Sequence, residues 1–553
     1  MSLAFWDIET DGLESTKMWV AVIKPRGGES IVTNCAQEAV EILNRFDAVV
    51  GHNIIGFDKP QLEKLSGLKI TGKLIDTLLI SRILFPDKFN HPAKGNGLGN
   101  WGTYLGFPKG DHSDWSCYSP EMRDYCIQDV AVTERLYDHL LPMCKHASQA
   151  IKLEHDVARI IKTQINNGIG FDAHNAERLL AELLQEKHAI TSDLQDVFPP
   201  IVEERWSDKT GKRLKDKVTV FNPGSRVQIE QRFKEKYRWR PRSKTETGRA
   251  KVDETILGKL EYPEASMLAR YLMIEKRASQ VEQWLKYNRD GVIHGDINTN
   301  GTVSGRMSHA KPNVAQVPAV RAEYGERMRK LFGPTQQGWM QVGADASGLE
   351  LRMLAHFLAK WDEGEYAEVI LNGDIHTYNQ AAAGLENRDQ AKTFIYATLY
   401  GAGPRKIGSI IKGGAKEGQV LKDNFERELP ALRKLKNALS IAVARKNMRG
   451  LDGRPLPVRS DHMALNLLLQ SAGAVVMKQA LVILDQRLSE LVPGKYGFMA
   501  NIHDEFQLEC SPDVVNTVGE TAVSSIAQAG EELGVRMPLD GEFKVGMDWA
   551  ECH

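Results

Sequence analysis

Acidic side chains recur near the N-terminus at spacings that suit metal-dependent phosphodiester chemistry. Asp7 and Glu9 are two residues apart in an apolar run, so on a strand they share one face. Asp58 follows at the passage from a predicted strand to a helix, and Tyr125 and Asp129 are four apart on one helical side. Carboxylates suit a pair of Mg²⁺ ions, one generating hydroxide and the other neutralising the leaving oxygen, with Tyr125 orienting the attacking water.

A second acidic group lies in the other half of the chain. WMQVGADASGLELRMLAHFL predicts an apolar strand ending at Asp345, a Ser-Gly turn and then a helix. NIHDEFQLEC predicts a strand pair with His503, Asp504 and Glu505 at its centre. The plain alternative for an isolated His-Asp-Glu is a hairpin turn with its charges in solvent. Asp345 and Asp504 together could instead hold two Mg²⁺ for phosphoryl transfer.

A helix predicted within residues 373–403 presents two cations followed by an aromatic stripe. Arg388, Lys392, Tyr396 and Tyr400 recur every four residues, which suits the phosphates and base of a nucleoside triphosphate. The alternative, a solvated helix face, fits poorly with the apolar run TFIYATLYGAG. Glycines at 401 and 403 would end the helix.

The elements that position these residues fall into several regions. Residues 1–140 mix short strand and helix patterns, which indicates α/β structure, and 150–190 predict two helices broken at NNGIGFDAHN. Strand and turn signals become denser from about 290, and 345–450 are mainly helical. GNGLGNWG (95–102) lacks the strand and spacing of a dinucleotide motif, so we expect a loop.

Length and composition limit the class of protein. A chain of 553 residues should form two to four domains, and 42% hydrophobic with 26% charged residues is ordinary for a soluble protein. The start has no basic segment typical of a signal peptide. MALNLLLQSAGAVVMKQALVIL (463–484) contains several polar residues, so we expect a buried helix and no membrane span. Six cysteines without metal-binding spacing fit a reducing compartment.

Charge is unevenly distributed although its sum is small. Residues 205–251 contain sixteen Lys and Arg against five Asp and Glu, so the rest of a chain of net charge −1 carries about −12. Trp206, Phe221, Phe233, Tyr237 and Trp239 are interleaved with these basic residues. Such a segment suits a nucleic-acid backbone, and a solvated, partly flexible charged segment is the equally weighted alternative.

Together these motifs resemble a known family. DxE, NxxxxD and YxxxD, in this order, resemble the tyrosine-bearing 3′–5′ exonucleases of the DEDD superfamily. DASGLELR, RDQAKTFIYATLYGAG and HDE resemble the three polymerase motifs of family A DNA polymerases, especially the replicative enzymes of T-odd, short-tailed phages. TVSGRMSHAKPNVAQVP, NGDIHT, RSDHMALNLLLQSAGA and the terminal DWAECH extend the likeness over nearly the whole chain.

The resemblance implies a role for each matching residue. Asp345 and Asp504 would be the catalytic metal ligands, with Glu505 as an accessory acid. Arg388, Lys392 and His376 would form the triphosphate clamp, with Tyr396 beside the incoming nucleotide and Glu350 excluding ribonucleotides. Tyr400 would lie near the templating position. The implied DNA contacts are Arg306, Gln470 and His503 in the minor groove, and Gln316. Minor-groove acceptors are shared by all correct pairs, so such contacts suit a polymerase. The exonuclease would use Asp7, Glu9, Asp58 and Asp129 with Tyr125, and each site would hold two Mg²⁺.

The implied fold is an α/β (α+β) multidomain chain, with an RNase H-like exonuclease followed by a right-handed polymerase. The expected divisions are an exonuclease at 1–150, linker helices and thumb at 151–286, palm at 287–357, fingers at 358–465 and palm again at 466–553. The partners implied are primer–template DNA and dNTPs, with helicase-primase and single-stranded DNA-binding protein as further candidates. We expect a monomer without membrane attachment, in the host bacterial cytoplasm if the gene is a phage gene.

One departure from the replicative enzymes of T-odd phages concerns processivity. Those relatives carry a long thumb insertion that captures host thioredoxin, whereas EERWSDKTGKRLKDKVTVFNPGSR (203–226) crosses this region in a few residues. A thioredoxin partner is therefore not expected. The segment between YGAG and GLDGRP is also shorter.

Three other classes of protein compete with a proofreading polymerase. A nuclease with a decayed polymerase half conflicts with the complete set of polymerase motifs. A non-catalytic replication scaffold conflicts with the acids and the Lys-Tyr helix at catalytic spacing. A related RNA-making polymerase conflicts with Glu350, which fits exclusion of the ribose 2′-hydroxyl.

Overall fold

The N-terminal region forms a mixed sheet covered by helices. A computed structural model describes residues 2–241, 243–245 and 248–552. In the sheet, ordered β3-β2-β1-β4-β5, the β1–β2 and β2–β3 pairs are antiparallel and the β1–β4 and β4–β5 pairs parallel. Its elements are β1 Leu3–Thr10, β2 Met18–Pro25, β3 Ile31–Thr33, α1 Ala36–Leu43, β4 Ala48–Gly51, α2 Asp58–Ser66, β5 Lys73–Asp76, α3 Thr77–Leu84, α4 Leu98–Tyr104 and α5 Pro120–Leu140.

A helical region follows, with an exposed hairpin. The long helices α7 and α10 pack on each other, while β7 and β8 pair antiparallel with nearly every residue exposed. A 3₁₀ helix, Leu141–His146, leads into it. The elements are α6 Ser148–Asn167, β6 Ile169–Phe171, α7 Ala173–Val197, β7 Ile201–Trp206, β8 Arg213–Thr219, α8 Arg226–Tyr237, α9 Glu254–Leu257 and α10 Pro263–Tyr287.

Short strands then lead to the first long strand of a second sheet. β13, β6, β10 and β9 form one small sheet, and β11 pairs with β12. The elements are β9 Asn288–Arg289, β10 Val292–Ile293, β11 Asp296–Asn298, β12 Ser308–Ala310, a 3₁₀ turn Val314–Gln316, α11 Gly325–Arg329, β13 Phe332–Gly333 and β14 Met340–Ala346.

The remainder is a helical block that returns to the sheet of β14. That sheet has the order β15-β16-β14-β17, with every pair antiparallel. The elements are α12 Leu349–Asp362, α13 Glu365–Asn372, α14 Ile375–Ala383, α15 Arg388–Leu399, α16 Pro404–Gly408, 3₁₀ Ser409–Ile411, α17 Ala415–Glu428, α18 Pro430–Ala444, α19 Asp461–Leu491, β15 Tyr496–Ile502, β16 Glu505–Cys510, 3₁₀ Pro512–Val514, α20 Val515–Glu532 and β17 Gly541–Gly546.

The helix α19 is the centre of the largest hydrophobic core. Among the described residues it alone is long and apolar enough to cross a membrane, yet 83% of that window is buried within the protein. Helices α6, α12, α18 and α20 pack against it. The expectation of a buried helix over 463–484 is confirmed.

Capping side chains and a tight turn define the ends of several elements. Ser119 caps α5 by accepting from the Met122 amide, with Pro120 at its first position, and Asp172 caps α7 by accepting from the Asn175 amide. The strand predicted to end at Asp345 ends one residue later, and β15 and β16 flank the His503–Asp504 turn. Two of the expected domain boundaries, at 357 and 465, fall inside α12 and α19.

Two local predictions were wrong. GNGLGNWG is a loop only in its first part, because α4 begins at Leu98. Trp101 is fully buried and its indole Nε1 donates to Ser81 Oγ at 2.9 Å, so burial outweighs the poor helix propensity of the glycines. The single helix expected within 373–403 is two helices, since Gly384 ends α14 with a φ of 73°.

Candidate functional site

The C-terminal sheet brings the second acidic group together. β14 lies beside β16, with Asp345 directly opposite Glu505, and the Ala346 amide donates to the Asp504 carbonyl at 3.0 Å. His503, in the turn, has a φ of 58°, a left-handed conformation that directs the chain sharply between β15 and β16. Asp345 and Asp504 are half-buried where β14 ends and β16 begins, and Glu505 is buried. This register places the acids of the His503–Glu505 hairpin beside Asp345.

Glu505 differs from the two aspartates because the protein holds its carboxylate. Its Oε1 accepts from the Trp549 indole Nε1 at 2.8 Å and from the Gln507 amide. The Arg329 guanidinium lies over the Trp549 ring, 4.6 Å from its centroid. Trp549 was not identified as a site residue from the sequence, although it lies in the terminal motif DWAECH.

Charged and aromatic side chains gather beside the aspartates. The Tyr400 hydroxyl donates to Glu350 Oε1 at 2.7 Å, and Arg306 Nη2 lies 3.5 Å from the same oxygen. Burial and the charges of Glu350 and Asp504 raise the pKa of the half-buried Tyr396. Burial and the charge of Arg306 lower the pKa of His503, against the opposing effect of Asp504. The fold therefore gathers residues from α12, α15, the turn before β12 and the hairpin.

The cationic end of α15 faces the N-terminus of α14. Arg388 Nε and Nη2 donate to the Asp374 carboxylate at 2.7 and 3.2 Å. The pKa of Asp374 is lowered, first by this hydrogen bond, and that of His376 is lowered by burial and by the charges of Arg388 and Lys392. Arg388 and Lys392 are exposed. Because these three side chains are close, they could bind a polyanion together.

The two glutamines predicted to contact DNA lie on different elements. Gln470 is half-buried on α19, one residue before the buried Ser471. Gln316 is exposed in the 3₁₀ turn, and its carbonyl accepts from Gln280 Nε2 at 2.8 Å. Four other residues, Arg306, His309, His503 and Glu505, line one shared pocket.

The N-terminal sheet gathers the first acidic group. Asp7 and Glu9 lie on β1, the central strand, and Asp58 Oδ1 accepts from the Ile8 amide at 3.3 Å. Asp129 on α5 influences both β1 acids electrostatically, and ligand atoms of Asp7, Glu9 and Cys126 lie within 4.8 Å of one another. All four predicted carboxylates are thus close together.

Burial and mutual repulsion make these carboxylates hard to ionise. Burial raises the pKa of Glu9 to about 8 and of Asp58 to about 7. The pKa of Asp7 lies well above its ordinary value, through burial and then the charges of Asp58, Glu9 and Asp129. Asp129 Oδ1 is buried and accepts no hydrogen bond within the described part of the chain. Bound cations would offset this burial and repulsion and would favour the ionised carboxylates.

One cation of the protein already contacts the cluster. Lys109 Nζ pairs with Asp129 Oδ2 at 2.5 Å and lies 4.5 Å from the centroid of the Tyr125 ring. Burial lowers and the Asp129 charge raises the pKa of Lys109, with a net upward shift. Cys126 Sγ lies 3.7 Å from Asp7 Oδ2, and burial raises the pKa of its thiol. Lys109 and Cys126 were not predicted from the sequence as members of this site. Lys109 is in a loop and has no periodic relation to Asp129.

The basic segment forms a projecting hairpin. Trp206 is 58% exposed at the end of β7, and Lys209, Lys212 and Lys215 are exposed around the turn to β8. Lys217 pairs with Glu203 Oε2 across the strands at 3.1 Å. An isolated two-stranded hairpin with exposed apolar and basic side chains could contact a nucleic-acid backbone.

Comparison with known proteins gives consistent matches. The model of DNA polymerase family A matches residues 203–551. The DNA-directed DNA polymerase of Enterobacteria phage T3 is 34% identical over 656 aligned positions, covering 92% of this chain and 93% of the relative. That of Escherichia phage T7 is 34% identical over 650, covering 91% and 92%. Both alignments are longer than the 553 residues of this chain, so these relatives contain segments that it lacks.

Among solved structures, the fold is similar to the POL domain of Pol1 from M. smegmatis, in complex with DNA primer-template and dNTP. The TM-score is 0.82 over 99% of this chain and 96% of that one, at 18% identity. This likeness shows the fold, a mixed helix-and-sheet polymerase architecture.

Proposed function

The chain belongs to DNA polymerase family A and is a DNA-directed DNA polymerase similar to those of phages T3 and T7; on this premise we propose that it extends primers with dNTPs and proofreads with a 3′–5′ exonuclease. The observation that carries the proposal is the existence of two separate carboxylate clusters. Asp345 and Asp504 meet at the C-terminal sheet, while Asp7 and Glu9 lie on β1 and Asp58 accepts from the Ile8 amide of that strand.

At the polymerase site the aspartates are the proposed metal ligands, and Glu505, held by Trp549, is an accessory acid. Their fit to Mg²⁺ rests on hard oxygen donors gathered at the end of β14 and the start of β16. When bound at either cluster, a pair of Mg²⁺ ions would supply an activated oxygen nucleophile and stabilise the leaving oxygen. The chain's own residues align the primer end and the triphosphate against each other, which is the main requirement of phosphoryl transfer.

The helices α14 and α15 supply the proposed nucleotide site. Arg388, Lys392 and His376 would bind the triphosphate, so Arg388 must exchange its carboxylate partner Asp374 for phosphate oxygens. Tyr396 would pack against the base and sugar. Glu350, held by Tyr400, would occupy the position that excludes a 2′-hydroxyl.

Contacts to DNA are proposed for Arg306, Gln316, Gln470 and His503. The basic hairpin of β7 and β8 would follow the duplex backbone as part of a thumb at 151–286, with palm at 287–357 and 466–553 and fingers at 358–465. Primer–template DNA and dNTPs are the proposed ligands. Helicase-primase and single-stranded DNA-binding protein are candidate partners.

The exonuclease site would use Asp7, Glu9, Asp58 and Asp129 as metal ligands within 1–150. The fit rests on the raised pKa values of these buried acids and on the unsatisfied Asp129 Oδ1. Tyr125 would hold the attacking water. Lys109 would offset part of the charge of Asp129 before cations bind, since its ammonium lies against that carboxylate.

Thioredoxin is not a proposed partner. The described hairpin passes directly from β7 to β8 through a turn of six residues, 207–212. The relatives' extra aligned positions agree with an insertion that this chain lacks.

A labelled primer annealed to a longer template tests the proposal. With Mg²⁺ and dNTPs the primer should lengthen to the template end, and with Mg²⁺ alone it should shorten from its 3′ end. EDTA should stop both reactions. Extension without any shortening would contradict the exonuclease half, and shortening without extension would contradict the polymerase half.

A further inference from the structure

A buried cluster of four charges lies between the N-terminal region and the second sheet. Its members are Glu154 on α6, Lys478 on α19, and Asp452 and Arg454 in the loop before α19, each at most 3% exposed. Arg454 Nη2 donates to Glu154 Oε1 at 2.8 Å and to Asp452 Oδ2 at 2.7 Å. Lys478 pairs with the same Glu154 oxygen. Two cations and two anions balance each other in a site sealed from solvent.

The cluster also binds the backbone of one turn. Lys478 Nζ donates to the Thr299 carbonyl and to the Gly305 carbonyl, both at 2.7 Å. Arg454 Nη1 donates to Asn300 Oδ1 at 3.3 Å. Lys478 therefore holds both ends of the turn 299–305.

The turn ends immediately before Arg306. Gly305 has a φ of 80°, and a Cβ there would lie 1.9 Å from Arg454 Nη1, so only glycine allows the turn to sit against the cluster. Arg306 then reaches Glu350 at 3.5 Å beside His503. Lys478 thus binds the backbone carbonyl of the residue immediately before Arg306.

The same turn contacts the N-terminal region. Asn300 Nδ2 donates to the Arg82 carbonyl at the end of α3 at 2.9 Å. A Cβ at Gly453, between Asp452 and Arg454, would lie 2.2 Å from the His146 carbonyl. The cluster is therefore clamped between the two regions and cannot shift without moving the turn.

We propose that Lys478, with Glu154 and Arg454, is a positioning residue of the polymerase, holding the turn 299–305 so that Arg306 meets the primer–template. The inference rests on the role proposed above for Arg306. A cluster that only stabilises the fold would instead affect every activity in proportion to the folded fraction. The two roles are distinguished by whether the loss of activity depends on the presence of Arg306.

The test is a double-mutant cycle in a background carrying Asp7→Ala and Glu9→Ala, so that degradation does not obscure extension. The first variant, Lys478→Met with Glu154→Gln, removes one charge of each sign and leaves Arg454 paired with Asp452. The second, Gly305→Ala, displaces the turn without changing any charge. Each is measured with Arg306 present and with Arg306→Ala, as kcat and KM for single-nucleotide addition.

A matched control removes another Lys–Glu pair. Lys436→Met with Glu426→Gln breaks a 2.5 Å pair between α17 and α18, away from the turn. Circular dichroism checks that each variant is folded. If the Lys478 pair variant does not fold, Gly305→Ala alone decides the cycle.

With Arg306 present, both test variants should lower kcat/KM about tenfold, the scale of a lost pair of hydrogen bonds. With Arg306→Ala they should lower it less than about twofold, and the control should change neither background. Equal fold-losses in both backgrounds would overturn the inference while leaving the proposed role of Arg306 intact. If Arg306→Ala itself changes nothing, that proposed role fails and the inference falls with it.

Discussion

The two carboxylate clusters hold their charges in different ways. The acids around β1 are crowded and largely buried, their pKa values are raised, and one lysine offsets part of the charge. Asp345 and Asp504 are half-buried where β14 ends and β16 begins, and the third acid, Glu505, accepts from an indole and an amide. The carboxylates of the first cluster are therefore harder to ionise without cations, whereas Glu505 in the second has neutral hydrogen-bond donors of its own. The comparison suggests that metal binding stabilises the first region more than the second.

The largest expected effect is on primer extension, and it distinguishes the proposed metal ligand Asp345 from the neighbouring acid Glu505. Asp345→Asn should lower primer extension by about a thousandfold or more, because several kcal/mol of charge stabilisation are lost. Glu505→Gln should cost only about tenfold, since Trp549 and Gln507 already bind that carboxylate. Single-turnover nucleotide addition measures both. Equal losses would contradict the accessory role of Glu505.

The next effect concerns chain terminators at Tyr396. Some family A members have Phe at this position, and a dideoxynucleotide lacks the 3′-hydroxyl that helps shape its own triphosphate. The Tyr phenol could supply that hydroxyl, so the unmodified enzyme should accept dideoxynucleotides almost as readily as dNTPs. Tyr396→Phe should restore rejection by about tenfold to a few hundredfold, the cost of an unmade buried hydrogen bond.

The ratio of incorporation efficiencies, normal over dideoxy, measures this selectivity. Asp7→Ala with Glu9→Ala serves as the background, so that excision of the terminator does not alter the ratio. A ratio already in the hundreds before substitution would contradict the role of Tyr396. No change on Tyr396→Phe would make it a packing residue only.

A stability measurement addresses the difference between the clusters directly. Glu9 and Asp58 have folded pKa values of about 8 and about 7, above their unfolded values, so the folded state binds more protons. Their contribution to stability is present at low pH and is lost as pH rises through about 7 to 8. In EDTA at pH 8, Asp7→Asn with Glu9→Gln should therefore stabilise the protein by at least about 1 kcal/mol, the equivalent of roughly one pKa unit.

Thermal unfolding with EDTA and with Mg²⁺ checks this expectation. Mg²⁺ should raise the apparent Tm of the unmodified chain and have less effect on the double variant, because a ligand that binds only the folded state stabilises it. Asp345→Asn with Asp504→Asn is the matched control and should shift the apparent Tm less. If Asp7→Asn with Glu9→Gln instead destabilises the protein in EDTA, the carboxylates of the unmodified chain do not repel one another in the folded state.

The smallest expected effect is on DNA binding by the exposed hairpin of β7 and β8. Its charges are solvated, unlike the buried or half-buried charges of the two clusters. Lys209→Gln, Lys212→Gln and Lys215→Gln together should weaken DNA binding several-fold and reduce the slope of log affinity against log salt by up to about three. Adding thioredoxin should not lengthen products made per binding event under a trap. An unchanged salt slope, or several-fold longer products with thioredoxin, would contradict this account of the hairpin.

The sequence predicted the members of both clusters within single elements, and the order of the motifs, through the family resemblance, predicted that distant members meet. Asp7 and Glu9 on one strand, Tyr125 and Asp129 on one helix, and the His-Asp-Glu turn follow from local periodicity. Lys109, Trp549 and Glu154 could not be found this way. Glu154 meets Lys478 from 324 residues away, and neither local pattern nor propensity encodes such a pairing. The wrong loop at GNGLGNWG has the same cause, since the burial of Trp101 decides the helix.

The central claim is that one chain carries two independent active sites. The most direct measurement is the rate of primer extension and the rate of primer shortening, on the same labelled primer–template, for two folded variants. Asp7→Ala with Glu9→Ala should abolish shortening and leave extension largely intact, and Asp504→Ala should do the reverse. Loss of extension as severe as loss of shortening in the Asp7/Glu9 variant would contradict the two-site account.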